Sequence, residues 1–92
     1  MTETILLIED DDALVTMLGD RLRSERYQVD AAKDAEEAMD KISSRLFDLL
    51  IIDVMLPGRS GFDLCSDVRR ARIEVPILFL TAKLHCWTRL LA

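Results

Sequence analysis

The chain has 92 residues, half of them hydrophobic and 32% charged, with a formal net charge of −5. That is enough for one domain and not two, and the charged and apolar residues are too well mixed for a disordered segment. The acidic balance argues against a generic nucleic-acid-binding surface, which needs positive charge, and is compatible with binding a cation.

The first four residues are polar, Glu3 is acidic and a run of acids follows at Glu9 to Asp12, so no signal peptide is expected. No apolar stretch is long enough to cross a bilayer. The two cysteines, Cys65 and Cys86, lack CxxC spacing, and a reduced, cytoplasmic setting is the simplest reading. His85 beside Cys86 supplies two neighbouring potential ligands, fewer than a zinc site uses.

In chain order, the pattern alternates between two kinds of segment. Ile5-Leu6-Leu7-Ile8 is a short continuous apolar run, as expected of a strand buried on both faces of a parallel sheet. Leu14, Val15, Leu18 and Leu22 then recur on one helical face, with Asp11 or Asp12 as N-cap. Gly19 falls inside that helix at a cost of roughly 1 kcal/mol relative to alanine. Tyr27 to Ala31 alternates, which suits an edge strand. Asp34 caps a second helix with Ala38, Met39 and Ile42 inward and Glu37 in the capping-box position. Leu49 to Ile52 is the next buried run and ends on Asp53. A third helix follows Pro57-Gly58 and Gly61, with Phe62, Cys65 and Val68 inward and Leu64 near that face. It ends in Arg69, Arg70 and Arg72, which read as a solvated helix end where cations are favoured rather than as a binding patch. Ile77 to Leu80 is the last buried run, followed by Thr81.

The order β-α-β-α-β-α-β implies right-handed crossovers and an open parallel sheet with helices on both faces. Ligands of such sheets sit at the carboxyl ends of the strands, where the strand order reverses. Glu9, Asp10 and Asp53 follow buried runs and would share that edge with Thr81. At an effective dielectric of ~20, two unit charges ~4 Å apart repel by about 4 kcal/mol, so clustered carboxylates call for a proton or a cation. Oxygen ligands with room for water and phosphate suit Mg²⁺ best, which makes phosphoryl transfer a plausible chemistry. The plainer alternative is that the acids only cap a helix and solvate a turn. For Asp11 and Asp12 that alternative is the better one. For Asp53, followed by a Pro-Gly turn, the two readings stay open on pattern alone.

The string Ile5-Leu6-Leu7-Ile8-Glu9-Asp10-Asp11 resembles the first strand and acidic pair of two-component response-regulator receiver domains. Asp48 to Gly58, with Ser60-Gly61, resembles their phosphorylation strand and its loop, and Pro76 to Lys83 resembles their fourth strand with its switch hydroxyl. The wording is most similar to receivers that precede winged-helix DNA-binding domains. The resemblance covers residues 4 to 83. It implies a flavodoxin-like doubly wound parallel sheet in which the second, first, third and fourth strands are neighbours in that order. It also implies that Asp53 takes a phosphoryl group from a phosphohistidine of a sensor histidine kinase. Asp10 and Asp53 would bind Mg²⁺ through their side chains, Met55 through its backbone carbonyl, and Glu9, where aspartate is commoner, through a bound water. Thr81 would donate its hydroxyl to a phosphoryl oxygen. Such a chain is a phosphoacceptor and not an enzyme beyond its own phosphorylation and dephosphorylation.

The resemblance stops at Lys83. A further helix, a fifth strand with its lysine, and a last helix are expected in the family and have no counterpart here, so residues 1–83 read as an incomplete receiver and 84–92 as an atypical tail. Leu84, Trp87, Leu90 and Leu91 would fall on one side of a short helix, marginal unless packed. Lys83 lies on a different loop from the family's lysine. With the fourth strand left as an exposed apolar edge, a homodimer or higher oligomer is expected, built by edge pairing, element exchange or burial of Trp87. No direct contact with nucleic acid or membrane is expected. The alternative function is an interaction module that keeps the acidic pocket without switching. A haloacid-dehalogenase-like phosphatase fits poorly, since Glu9-Asp10-Asp11 lacks the DxD arrangement, and no glycine-rich phosphate loop points to an NTPase.

Overall fold

The computed structural model describes residues 2–81 and 86–90, with the backbone alone described at 81 and 86–90. The first strand, β1 (Thr4–Ile8), is followed by α1 (Asp12–Ser24), β2 (Gln28–Ala32), α2 (Ala35–Ser44) and β3 (Leu49–Asp53). Two short strands, β4 (Met55–Leu56) and β5 (Arg59–Ser60), precede α3 (Gly61–Arg70), β6 (Ile77–Thr81) and β7 (Cys86–Leu90). β2, β1, β3 and β6 are parallel neighbours in that order, as the sequence leads one to expect.

The continuous apolar runs are explained by the two-sided burial of the sheet. Ile5, Leu7, Ile51 and Leu80 face α1, where Leu14, Val15, Leu18 and Leu22 pack on them. Leu6, Ile8, Leu50, Ile52, Ile77 and Phe79 face α2 and α3, where they meet Ala38, Ile42, Leu64 and Val68. Side chains alternate sides along a strand, so a strand covered on both faces has no polar positions to spare. Phe62 departs from its expected inward placement. It is half exposed, although its ring lies 4.7 Å from that of Phe79.

The helix starts follow the local chemistry. Asp11 is the N-cap of α1, its Oδ1 accepting from the N–H groups of Ala13 and Leu14 at 3.0 and 3.3 Å. Asp34 caps α2 by accepting from Glu37 N–H at 2.8 Å, while Glu37 Oε1 accepts from Lys33 N–H, one residue before the usual capping-box donor. Arg70 pairs with Asp67 at the surface, as a solvated helix end predicts. Arg69 does not fit that description. Its guanidinium is half buried and donates to the carbonyls of Ile73 and Val75, both at 2.7 Å, tying the end of α3 to the approach of β6.

The tail requires two corrections. Residues 86–90, expected as part of a short helix, form β7, which pairs antiparallel with β6 over five residues from Ile77↔Leu90 to Thr81↔Cys86. The edge of the fourth parallel strand, expected to be exposed, is therefore covered, and the fifth sheet position is filled by a strand of opposite direction. The physical reason is hydrogen bonding. β6 offers a row of unpaired backbone groups, whereas a helix this short satisfies few of its own. Residues 82–85, and with them Lys83 and His85, lie outside the described residues, as does the side chain of Cys86.

Candidate functional site

β1 and β3 are central neighbours in the sheet and run in the same direction, with Ile8 paired to Ile52. Their last residues therefore emerge together at one edge, Glu9 and Asp10 from one strand and Asp53 from the next. A carboxylate oxygen from each of these three residues lies within 4.8 Å of the others. Asp53 is 7% exposed and Glu9 only 3%, while Asp10 faces solvent. The acids are thus brought together by backbone topology and are not a stretch of solvated turn.

Glu9 bears the electrostatic consequence. Its carboxyl is raised from an ordinary 4.5 to about 7, chiefly by burial, with the N–H of Asp11 partly opposing this and the neighbouring Asp53 and Asp10 adding to it. Its Oε2 accepts from Asp11 N–H at 3.1 Å, but its Oε1 is buried without a hydrogen-bond partner. An unpartnered buried carboxylate oxygen beside two other carboxylates is the place for a proton or a cation. The donor set is all oxygen, which fits a hard divalent ion such as Mg²⁺.

Asp53 is held from two sides. Its Oδ1 accepts from the N–H of Met55 at 3.1 Å, which sets the rotation of the carboxylate. Its backbone is pressed by Gly61, the first residue of α3, whose N–H donates to the Val54 carbonyl at 2.7 Å. A Cβ at Gly61 would overlap the Asp53 carbonyl oxygen and sit 2.8 Å from Ile52 Cγ2, so only glycine allows this approach. The link between Asp53 and Gly61 is a miniature hairpin in which Leu56 pairs with Arg59. Pro57 and Gly58 form its turn, and Gly58 has φ +74, as the third position of a type II turn requires. Ser60 then caps α3, its hydroxyl accepting from Phe62 N–H at 3.0 Å.

The Met55 side chain is exposed, and its backbone N–H reaches the site through Asp53 Oδ1. Asp53 is in register with Leu80, which places the backbone of Thr81 one residue beyond that level, on the same edge of the sheet. The Thr81 side chain lies outside the described residues. Asp11 and Asp12 belong to the helix start. The Pro57-Gly58 turn was a visible signal for the hairpin. Sequence reasoning missed the contact between Gly61 and the Asp53 backbone, for which a lone glycine after a serine gives little warning.

Comparison with known proteins gives a consistent answer. The profile described as response regulator receiver domain matches residues 5–90. Over 83 residues the chain is 40% identical to the alkaline phosphatase synthesis transcriptional regulatory protein PhoP of Bacillus subtilis, covering 90% of this chain and 35% of PhoP. Among solved structures, the non-phosphorylated HemR receiver domain from Leptospira biflexa is 39% identical with a TM-score of 0.81, covering 89% of this chain and 66% of that one. The response regulator protein TrrA from Thermotoga maritima, in complex with Mg²⁺-BeF, is 33% identical with a TM-score of 0.83, covering 88% of this chain and 70% of TrrA. TrrA has also been solved in complex with the histidine kinase ThkA. The chain spans about a third (35%) of the length of PhoP and of the transcriptional regulatory protein DltR of Streptococcus agalactiae, to which it is also similar.

Proposed function

The chain belongs to the response regulator receiver family, and on that premise we propose that Asp53 accepts a phosphoryl group from the phosphohistidine of a sensor histidine kinase, with Mg²⁺ as cofactor. The observation that carries this reading is the placement of Asp53. It is a buried carboxylate at the end of a central strand, within 4.8 Å of the carboxylates of Glu9 and Asp10.

Glu9, Asp10, Asp53 and the Met55 carbonyl would hold the ion, Glu9 through a water. Bound there, Mg²⁺ supplies positive charge that offsets the repulsion between the carboxylates and the incoming phosphoryl oxygens. The chain's own residues do the rest by positioning. The hydrogen bond from Met55 N–H to Oδ1 fixes the plane of the Asp53 carboxylate and leaves Oδ2 to attack. An O–P bond forms at Oδ2 as the donor's N–P bond breaks, and the imidazole leaves with that electron pair and takes a proton from solvent. A carboxylate nucleophile needs no general base, and an activated donor leaves orientation and charge as the catalytic tasks. Thr81, on the same sheet edge, would donate its hydroxyl to a phosphoryl oxygen. The relatives are transcriptional regulatory proteins, so this domain is read as the phosphorylated input of such a regulator.

Incubation with Mg²⁺ and a small-molecule phosphodonor tests the proposal. The expected result is a mass increase of one phosphoryl group that survives acid and is lost in alkali. It should be absent in Asp53→Asn and in the presence of a chelator. An adduct that persists in Asp53→Asn, or none in the wild type, refutes it.

A further inference from the structure

The two edges of the main sheet are not equivalent. At β2, Gln28 N–H bonds to the Glu3 carbonyl at 2.9 Å and the Ala32 carbonyl accepts from Glu9 N–H at 3.0 Å, so both residues turn toward β1. Strand alternation then turns the backbone groups of Val29 and Ala31 outward, where another strand would otherwise pair. Side chains already occupy both carbonyls and one of the two N–H groups. The Val29 carbonyl accepts from the Arg23 guanidinium at 3.2 Å and the Ala31 carbonyl from Lys41 Nζ at 2.7 Å. Ala31 N–H donates to Asp30 Oδ1 at 2.8 Å, and Asp30 is held in turn by Lys41 at 3.0 Å and by Arg45. This edge is closed by its own side chains.

The other end of the sheet is β7, and among the described residues nothing pairs with its outer side. We propose that β7 pairs antiparallel with β7 of a second copy, joining two five-stranded sheets into one across a two-fold axis and stopping at the dimer. A strand paired antiparallel with itself is isologous, so one contact satisfies both edges at once. Full overlap of the five residues centres the axis on Thr88. In that register Thr88 stands opposite Thr88, Arg89 opposite Trp87 and Cys86 opposite Leu90, so the only charge in the strand meets no like charge. Cys-Trp-Thr-Arg-Leu contains no proline or glycine to interrupt pairing. The free edges of the dimer would both be β2, each closed as described, so a finite assembly follows and a filament does not.

Light scattering and sedimentation equilibrium on the whole chain should show a monomer–dimer equilibrium, with the dimer fraction rising with concentration and no larger species. In a Cys65→Ser, Cys86→Ser background, Thr88→Cys should form disulfide-linked dimers under mild oxidation. It should do so about tenfold or more faster than Gln28→Cys at the closed edge, because pairing raises the effective concentration of the thiol. Exchanging the guards, Arg23→Met with Lys41→Met, should open β2 and yield assemblies larger than the dimer. A wild type that stays monomeric at every concentration, a wild type that polymerises, or equal cross-linking at positions 28 and 88 would each overturn the proposal.

Discussion

Replacing Glu9 with glutamine should stabilise the metal-free protein at alkaline pH. In the folded chain the Glu9 carboxyl is raised from 4.5 to about 7, chiefly by burial and then by its carboxylate neighbours. The native state therefore binds this proton more tightly than the unfolded chain does. The contribution to stability is complete below pH 4.5 and disappears as the pH rises through 7. At about 1.4 kcal/mol per tenfold in proton affinity, ionising Glu9 costs the fold about 3 kcal/mol by pH 8. Its side chain is 3% exposed, so solvent does little to screen the effect. Glutamine keeps the shape and can still accept from Asp11 N–H, but carries no charge. Urea denaturation of both proteins in EDTA, from pH 4.5 to pH 8, isolates the effect as a difference between them, since the other acids are common to both. The two should be nearly equal at the acid end, and Glu9→Gln more stable by about 2–3 kcal/mol at pH 8. Adding Mg²⁺ at pH 8 should recover much of the loss in the wild type by mass action, and less in the variant. A difference that does not change with pH, or a variant less stable than the wild type at pH 8, refutes the reasoning.

Three further substitutions probe how the site is held. Gly61→Ala forces a methyl into the Asp53 carbonyl and should cost about 1–3 kcal/mol while slowing phosphoryl uptake at Asp53; a variant that melts and labels like the wild type would show that the contact yields freely. Asp34→Ala removes the N-cap of α2 without touching the acidic trio itself, and should lower stability by about 1 kcal/mol with labelling unchanged, read by denaturant titration and by mass spectrometry. Arg69→Met strips two part-buried carbonyls, those of Ile73 and Val75, of their donor and should cost about 1–3 kcal/mol; amide exchange in residues 73–75 should quicken, and no change there would mean that the tether carries no weight.

Much of the fold was legible because two-sided burial leaves an unmistakable trace. Three runs of four apolar residues can hardly be anything but central strands, and the capping acids Asp11 and Asp34 announce where two helices begin. The acidic trio followed from the same logic, since strand ends in a parallel sheet share one edge. What escaped notice depended on contacts between segments distant in sequence. The long reach of Arg69 across the end of α3 looks, in sequence, like any solvated helix terminus. Phe62 sits on the expected helix face, yet that position lies at the margin of the core and its ring is half exposed. The tail misled for a different reason. Leu84, Trp87, Leu90 and Leu91 fit a helical period, but the deciding factor was the row of unpaired groups along β6, which no local pattern reports.

The arrangement of the site also explains why its acids persist at a cost to the fold. Three carboxylates within 4.8 Å oppose folding, and the structure holds them there with rigid parts. Two central strands fix the spacing of Glu9, Asp10 and Asp53, and the close approach of Gly61 and the N–H of Met55 fix where Asp53 points. None of these supports lies on β7, whose one hydrogen-bonded neighbour in the sheet among the described residues is β6. The chemistry of the acidic edge and the pairing of the far edge are therefore separable. A change that stabilises the acidic edge, such as Glu9→Gln, should weaken cation binding without altering the oligomeric state, and a change at Thr88 should do the reverse. A site built for a charged ligand is expected to trade stability for function in this way.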